Sequence, residues 1–225
     1  MGILDDIFWK ALTGPQAQFA RGAGAARRYA RGFSPILGFE DREHPDFAAL
    51  VPFCDAGERF YVDTWSGTAP PGWEIAIQKT MKRMVWTGDM PPDDATREAR
   101  PLDAAHAAQG LELALLTNPG PFGLRTIELG DYFGVFEGER LIAMAGERLH
   151  AGPYREVSGV CTHPDFQGRG MARRLTAKIV RLQMQRGQLP FLHVISSNTA
   201  AHDLYERMGF RDYRETVVRV VERVG

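Results

Sequence analysis

The residues best equipped for chemistry are Glu156, Cys161, the run Gln167-Gly168-Arg169-Gly170-Met171-Ala172, His193, Asn198 and Tyr205. The run follows an extended stretch, Glu156 to Thr162, that Pro164 ends, and it leads without a break into a helical pattern. A strand passing through a glycine-bearing turn into a helix gathers free backbone N–H groups at one point. The helix dipole adds partial positive charge there. Such a point favours a phosphate or pyrophosphate, and glycine lets the backbone take positive φ close to that guest. Two familiar phosphate loops are excluded. No Gly-Lys-Ser/Thr closes the run, and Arg173 stands where a dinucleotide fingerprint needs a third glycine.

Groups able to move a proton flank that point. Glu156, beside Val157 and Val160, is the candidate general base, because apolar surroundings raise a carboxyl pKa toward the working range. His193 is the reserve base, although a hydrogen-bonded core histidine fits the same position. Tyr205 lies seven residues after Asn198, two helical turns on and so on the same face. Asn198 also suits a helix N-cap. Cys161 is a nucleophile in principle, but no base stands beside it in sequence. Cys161, His163 and His150 lack zinc-site spacing, and no metal is expected.

The run from Gln167 to Ala172 matches Q/R-x-x-G-x-G/A. A second pattern, N-x-x-A-x-x-L-Y-x-x-x-G-F, follows at Asn198, Ala201, Leu204-Tyr205 and Gly209-Phe210. Together these resemble the GNAT superfamily of acetyl-CoA-dependent N-acetyltransferases over about Tyr132 to Val221. Within it the chain looks closest to the C-terminal domain of glycine N-acyltransferase-like proteins. The resemblance implies an α/β (α+β) fold with a mixed sheet splayed between its fourth and fifth strands to admit a pantetheine arm. It implies acetyl-CoA (coenzyme A) as co-substrate. The backbone of Gly168, Arg169, Gly170, Met171 and Ala172 would hold the pyrophosphate, with Arg169 and Arg173 as charge partners. Val160, Cys161 and Thr162 would pair with the pantetheine amides, and Asn198 would contact the cofactor. Tyr205 would face the sulfur, and Glu156 matches the catalytic glutamate of histone-modifying members.

The elements that must position these residues are legible in outline. Ile3 to Leu12 reads as a short helix, and Gln16 to Ala30, rich in alanine and arginine, as helix-compatible, with Arg21, Arg27, Arg28 and Arg31 on a solvated face. Phe60 to Thr64 and Trp73 to Trp86 read as strands, and Asp103 to Thr117 as a helix. Asn118 to Gly123 reads as a loop. A hairpin over Tyr132 to His150 precedes the Glu156 strand. After the glycine run come a helix, the Phe191 to Ile195 strand, the Asn198 to Met208 helix and a last strand from Tyr213 to Val221.

Asp89 to Pro101, with Pro91-Pro92, is the expected linker. It divides an N-terminal α/β region, 1–92, from a transferase domain, 93–225. The first region resembles a degenerate GNAT-like half without a CoA loop. In 225 residues, 44% hydrophobic and 24% charged content is ordinary globular composition. A net charge of −1 gives no pull toward nucleic acid or anionic membranes. Two cysteines cannot make a disulfide framework, no apolar run approaches a membrane span, and Asp5-Asp6 is unlike a signal peptide, so a cytoplasmic address is expected. The function expected is acyl transfer from acetyl-CoA to a small amine or amino acid, by a monomer or homodimer. A protein lysine or N-terminus as acceptor, or a non-catalytic acyl-CoA-binding module, are the alternatives.

Overall fold

The computed structural model describes residues 2–93 and 98–225. In chain order a 3-10 turn, Ile3–Asp6, runs into helix α1 (Ile7–Thr13). Strands β1 (Ala20–Arg21), β2 (Ala26–Tyr29) and β3 (Leu37–Phe39) follow, then β4 (Arg59–Asp63), β5 (Trp73–Trp86), β6 (Arg100–Pro101) and helix α2 (Ala107–Thr117). Strands β7 (Tyr132–Glu137), β8 (Arg140–Ala151) and β9 (Tyr154–Thr162) lead to helix α3 (Met171–Gln185). Strand β10 (Leu189–Ile195), helix α4 (Thr199–Met208) and β11 (Phe210–Arg223) complete the fold.

Eight strands form one mixed sheet in the order β4-β11-β5-β10-β9-β8-β7-β6, and β1-β2-β3 form a small sheet of their own. The long β5 lies between β10 and β11, antiparallel to both. Residues 1–92 therefore supply two strands of the same sheet as residues 93–225. Part of the linker expected at Asp89 to Pro101, residues 94–97, lies outside the described residues.

The helix expected across Gln16 to Ala30 does not form. After a 3-10 turn at Ala17–Phe19 the chain makes the β1–β2 hairpin, whose turn holds Gly22 at φ 144° and Gly24 at φ 49°. Two glycines that lower helix propensity are the reason: they favour this turn over a continuous helix. The arginines share no solvated helical face. Arg28 is buried on Glu58 at 2.7 Å, and Arg27 lies over the Trp9 ring.

The parallel pair β9–β10 keeps register only from Tyr154 to Glu156, opposite Leu189 to Phe191. Beyond that the strands part, which is the expected splay. A bulge on β9 adds to it: Met144 pairs Cys161 but Gly146 pairs Ser158, and Gly159 sits at φ 62°. The extra residue flips the alternation of side chains. Val157 packs with Leu175 and Ile179 of α3 before the bulge, and Val160 joins that cluster after it. Cys161 turns instead toward Leu113 and Met144 beside α2.

Candidate active site

Strand β9 ends at Thr162, a 3-10 turn spans Pro164–Phe166, and Gly168 and Gly170 take φ of 76° and 72° before α3 begins. Gly170 is the N-cap and carries no side-chain cap, so the first-turn amides of a 15-residue helix are left for a guest. A Cβ at Gly168 would meet nothing within 4 Å, so the bend is open. It borders a groove of ≈ 510 Å³ whose lining includes Val160, Cys161, Thr162, Gln167, Gly168, Arg169, Gly170, Met171, Ala172, Arg173 and Asn198, every cofactor-contacting residue expected from sequence. The Thr162 hydroxyl is buried without a hydrogen-bond partner among the described residues. Arg169 lies over the Phe166 ring at 4.8 Å. An uncapped helix start, an open glycine bend and an unused hydroxyl in one groove fit a pyrophosphate joined to a polar chain.

A second cavity, ≈ 370 Å³, opens on the other side of the splay. Its floor is one face of β5 and β11, Ile77, Lys79, Met81, Val218 and Val220. Phe8 and the loop from Asn118 to Pro121 wall it. Asn118 begins that loop as the C-cap of α2 at φ 50°, ψ 57°, a conformation asparagine tolerates better than most residues. Asn118, Pro119, Val160, Asn198, Ala201 and Tyr205 line groove and cavity alike, so the two meet at the splay. Tyr205 is buried there and packs edge-on against Phe210. Burial, with the Cys161 sulfur nearby, pushes its phenol up to about 12. The Asn198 carboxamide caps α4, accepting from the Ala201 N–H at 3.2 Å.

Glu156 is not placed as expected. It lines neither cavity and stands behind Arg148 and His193, which line the second. Arg148 grips it with Nε to Oε2 at 2.9 Å and Nη2 to Oε1 at 2.6 Å. The Leu149 N–H donates at 3.2 Å, and His193 Nδ1 lies 2.7 Å from Oε1. Burial raises the carboxyl pKa, but Arg148 and His193 outweigh it and hold the group far below the carboxylate range. The expectation of a raised pKa is thus reversed. Apolar neighbours in sequence gave the desolvation, while the cross-strand arginine was hidden.

His193 is equally committed. Arg83 donates Nε–H to its Nε2 at 2.9 Å, so Nδ1 carries the proton and gives it to Glu156. Burial, more than the Glu156 carboxylate can offset, keeps the ring's pKa lowered. Arg83 is itself paired with Asp63 and bonded to the Leu4 carbonyl, and Asp63 accepts from Thr216 at 2.6 Å. A row Asp63–Arg83–His193–Glu156–Arg148 therefore crosses β4, β5, β10, β9 and β8 beneath α1. Every interior charge has an opposite neighbour, as a low-dielectric setting requires. Sequence reasoning missed Asp63, Arg83 and Arg148. The one available signal was the Gly152-Pro153 turn, which brings 148 back beside 156. Cys161 is 6% exposed and its thiol is pushed up to about 12 by burial, so it holds its proton near neutrality.

Fold and site together form a groove that fits a pyrophosphate-bearing chain and adjoins a second cavity at the splay between the strands. The family model described as FR47-like protein matches residues 132–220. The N-alpha-acetyltransferase RimI of Mycobacterium tuberculosis is 37% identical over 83 residues, 36% of this chain, and the chain spans about half the length of that relative, 51%. A crystal structure described as a GNAT-family acetyltransferase from Novosphingobium aromaticivorans matches all of both chains at 31% identity and a TM-score of 0.89. A GCN5-related N-acetyltransferase from Kribbella flavida shares the fold at 18% identity, covering 100% of this chain and 97% of that one, with a TM-score of 0.62. The chain belongs to the GNAT family of N-acetyltransferases. Among the described residues no helix is long and apolar enough to cross a membrane.

Proposed function

We propose that this protein transfers the acetyl group of acetyl-CoA to a primary amine of a small molecule or amino acid, by direct attack within a ternary complex. The observation that carries this reading is the junction at Tyr205: the glycine-loop groove and the second cavity meet there. A thioester anchored at Gly168 to Ala172 would present its carbonyl to an amine in the cavity, and that pre-positioning supplies much of the rate.

The geometry supports the following roles. Gly159 and Val160 have no register partner on β8 or β10 among the described residues, which supports a main-chain N–H at this bulge as the donor to the oxyanion. The amine nitrogen forms the new bond to the thioester carbon, the tetrahedral intermediate collapses, and the C–S bond breaks. Tyr205, protonated up to about pH 12, donates a hydrogen bond to the departing sulfur. Full proton transfer to a thiolate of pKa ~8.5 would run uphill by roughly 3.5 units, or about 5 kcal/mol. The amine's own proton is therefore the one that leaves, to water or to sulfur. Glu156 acts as a positioning residue, fixing Arg148 and His193 against the cavity. Cys161, protonated and turned toward α2, takes no acyl group in this scheme.

The resemblance to glycine N-acyltransferase-like proteins favours a free amino-acid-type acceptor. The RimI relative, an N-alpha-acetyltransferase, is the ground for a second reading, in which a polypeptide N-terminus enters the same cavity. The test is an amine, amino-acid and peptide panel with acetyl-CoA, read by free thiol release and by mass of the product. Thiol release that depends on acceptor and tracks acetylated product is expected. Tight acetyl-CoA binding with no acceptor-dependent release would make the protein a binding module instead.

A further inference from the structure

The cavity beyond Tyr205 has an unusual charge inventory for a site meant to receive an amine. Among the described residues no aspartate or glutamate lines it, while Lys79, Arg148 and His193 do. Arg148 spends its charge on Glu156 at 2.6 Å, and neutral His193 has both ring nitrogens engaged. Lys79 is exposed on the β5 floor and makes no ion pair among the described residues. Ile77, Met81, Val218 and Val220 surround it on the same face, and Tyr61 stands on β4 beside them. The remaining polar lining, Asn118, Ser197 and Asn198, is uncharged.

An ammonium entering this space would lose hydration beside the unpaired Lys79 charge, with no carboxylate on the lining to compensate it. A second cationic centre on the acceptor would double that cost. A carboxylate, in contrast, finds a free ammonium on an otherwise apolar floor. Resting on the acetyltransferase reading above, we propose that the acceptor is a compact amino-carboxylate. Its weakly basic α-amine is uncharged at attack and its carboxylate is held by Lys79. Basicity points the same way. At pH 7.4 about a fifth of a peptide α-amine of pKa ~8 is neutral, against about a thousandth of a lysine side chain at ~10.4. Without a carboxylate base in the cavity, that difference passes straight into rate.

The experiment compares short dipeptides with a free C-terminus, the same dipeptides as C-terminal amides, and an aliphatic diamine. The dipeptides and their amides differ in the carboxylate while keeping a peptide-type α-amine. Each is measured as kcat/KM with acetyl-CoA on the wild type, Lys79→Ala and Lys79→Arg. The carboxylates should exceed their amides by about tenfold in the wild type and in Lys79→Arg. Lys79→Ala should abolish the gap by raising KM for the carboxylates alone, and the diamine should be the poorest acceptor throughout. Equal rates for amide and carboxylate, a diamine among the best acceptors, a gap that survives Lys79→Ala, or no turnover of any member while acetyl-CoA still binds would each overturn the assignment. Failure of acetyl-CoA itself to bind would instead remove the acetyltransferase reading beneath it.

Discussion

Nδ1 of His193 lies 2.7 Å from Oε1 of Glu156, and the same oxygen receives Nη2 of Arg148 at 2.6 Å. A carboxylate held on two sides in this way has its negative charge fixed, which suits it to hold its neighbours in place and not to collect a proton. Glu156→Gln should therefore act through stability. It leaves the Arg148 charge buried without its partner, a loss of about 3–5 kcal/mol. Thermal unfolding should show a large drop in Tm, while the surviving folded enzyme keeps the shape of its pH–rate profile. Replacing both partners, with Arg148→Met and Glu156→Leu, should cost less than either change alone. A profile that loses its acid limb in Glu156→Gln, with Tm preserved, would restore the general-base role.

Tyr205→Phe tests the sulfur contact. The ring is buried against Phe210, and phenylalanine keeps that packing while losing the hydroxyl. If the hydroxyl stabilises the departing sulfur, kcat should fall by roughly 10²-fold, as for loss of one donor to developing charge. KM for acetyl-CoA should stay within about threefold. A rise in KM at unchanged kcat would move the hydroxyl's contact from the sulfur to the bound chain.

The glycine bend makes a different prediction. Gly168 stands at φ 76° with open space where a Cβ would go. Gly168→Ala should cost only about 1–2 kcal/mol of stability, from the left-handed backbone. Any relaxation of that backbone re-aims the loop amides, so KM for acetyl-CoA should rise about tenfold or more with kcat nearly kept. Isothermal titration with CoA reads the same effect without turnover.

How much of this was legible beforehand depends on the range of the interaction. The groove was local: Gln167 to Ala172 encode a turn and a helix start within one stretch, and the residues expected there all line it. The strands from Tyr132 onward carried their own alternation and turn residues. What stayed hidden came from pairing over long distances in sequence. Val62 and Arg219 pair across β4 and β11, and His193 faces Arg83 across β10 and β5. Nothing near Glu156 in sequence announces that Arg83 and Asp63 will extend its row of charges. The β1–β2 hairpin was missed for the opposite reason, since alanine and arginine favour helix while two glycines and packing decide the turn. Cys161 shows a third case. The bulge at Gly159 rotates it toward α2, which simple alternation along β9 does not foresee.

Cys161→Ser should keep kcat within about threefold, because the wild-type thiol, pushed up to about 12 by burial, holds its proton at neutral pH. Intact-protein mass spectrometry after mixing with acetyl-CoA alone should show no added acetyl group. A covalent acetyl on Cys161, or loss of activity in Cys161→Ser, would replace direct transfer with an acyl-enzyme route.

The acid limb of stability should report His193 first. Its folded pKa is lowered, by burial above all, so the unfolded chain binds the extra proton more readily below its own pKa of ~6.5. That contribution is present above pH ~6.5 and is lost as pH falls from there toward the folded value. Half-buried His150 is lowered too, by burial and then by Arg155, and adds to the same window. Glu156 is also depressed, since Arg148 and His193 outweigh its burial, and its contribution disappears only as pH drops below the unfolded carboxyl value of ~4.3. Urea midpoints should thus decline between pH 7 and 5 and decline again below about 4.3. His193→Gln should flatten most of the first decline and leave the second, with His150→Gln measuring the smaller share. An unchanged slope between pH 7 and 5 in His193→Gln would mean that the imidazole takes up its proton in the fold as freely as in the unfolded chain, and the row from Asp63 to Arg148 would not be holding it neutral.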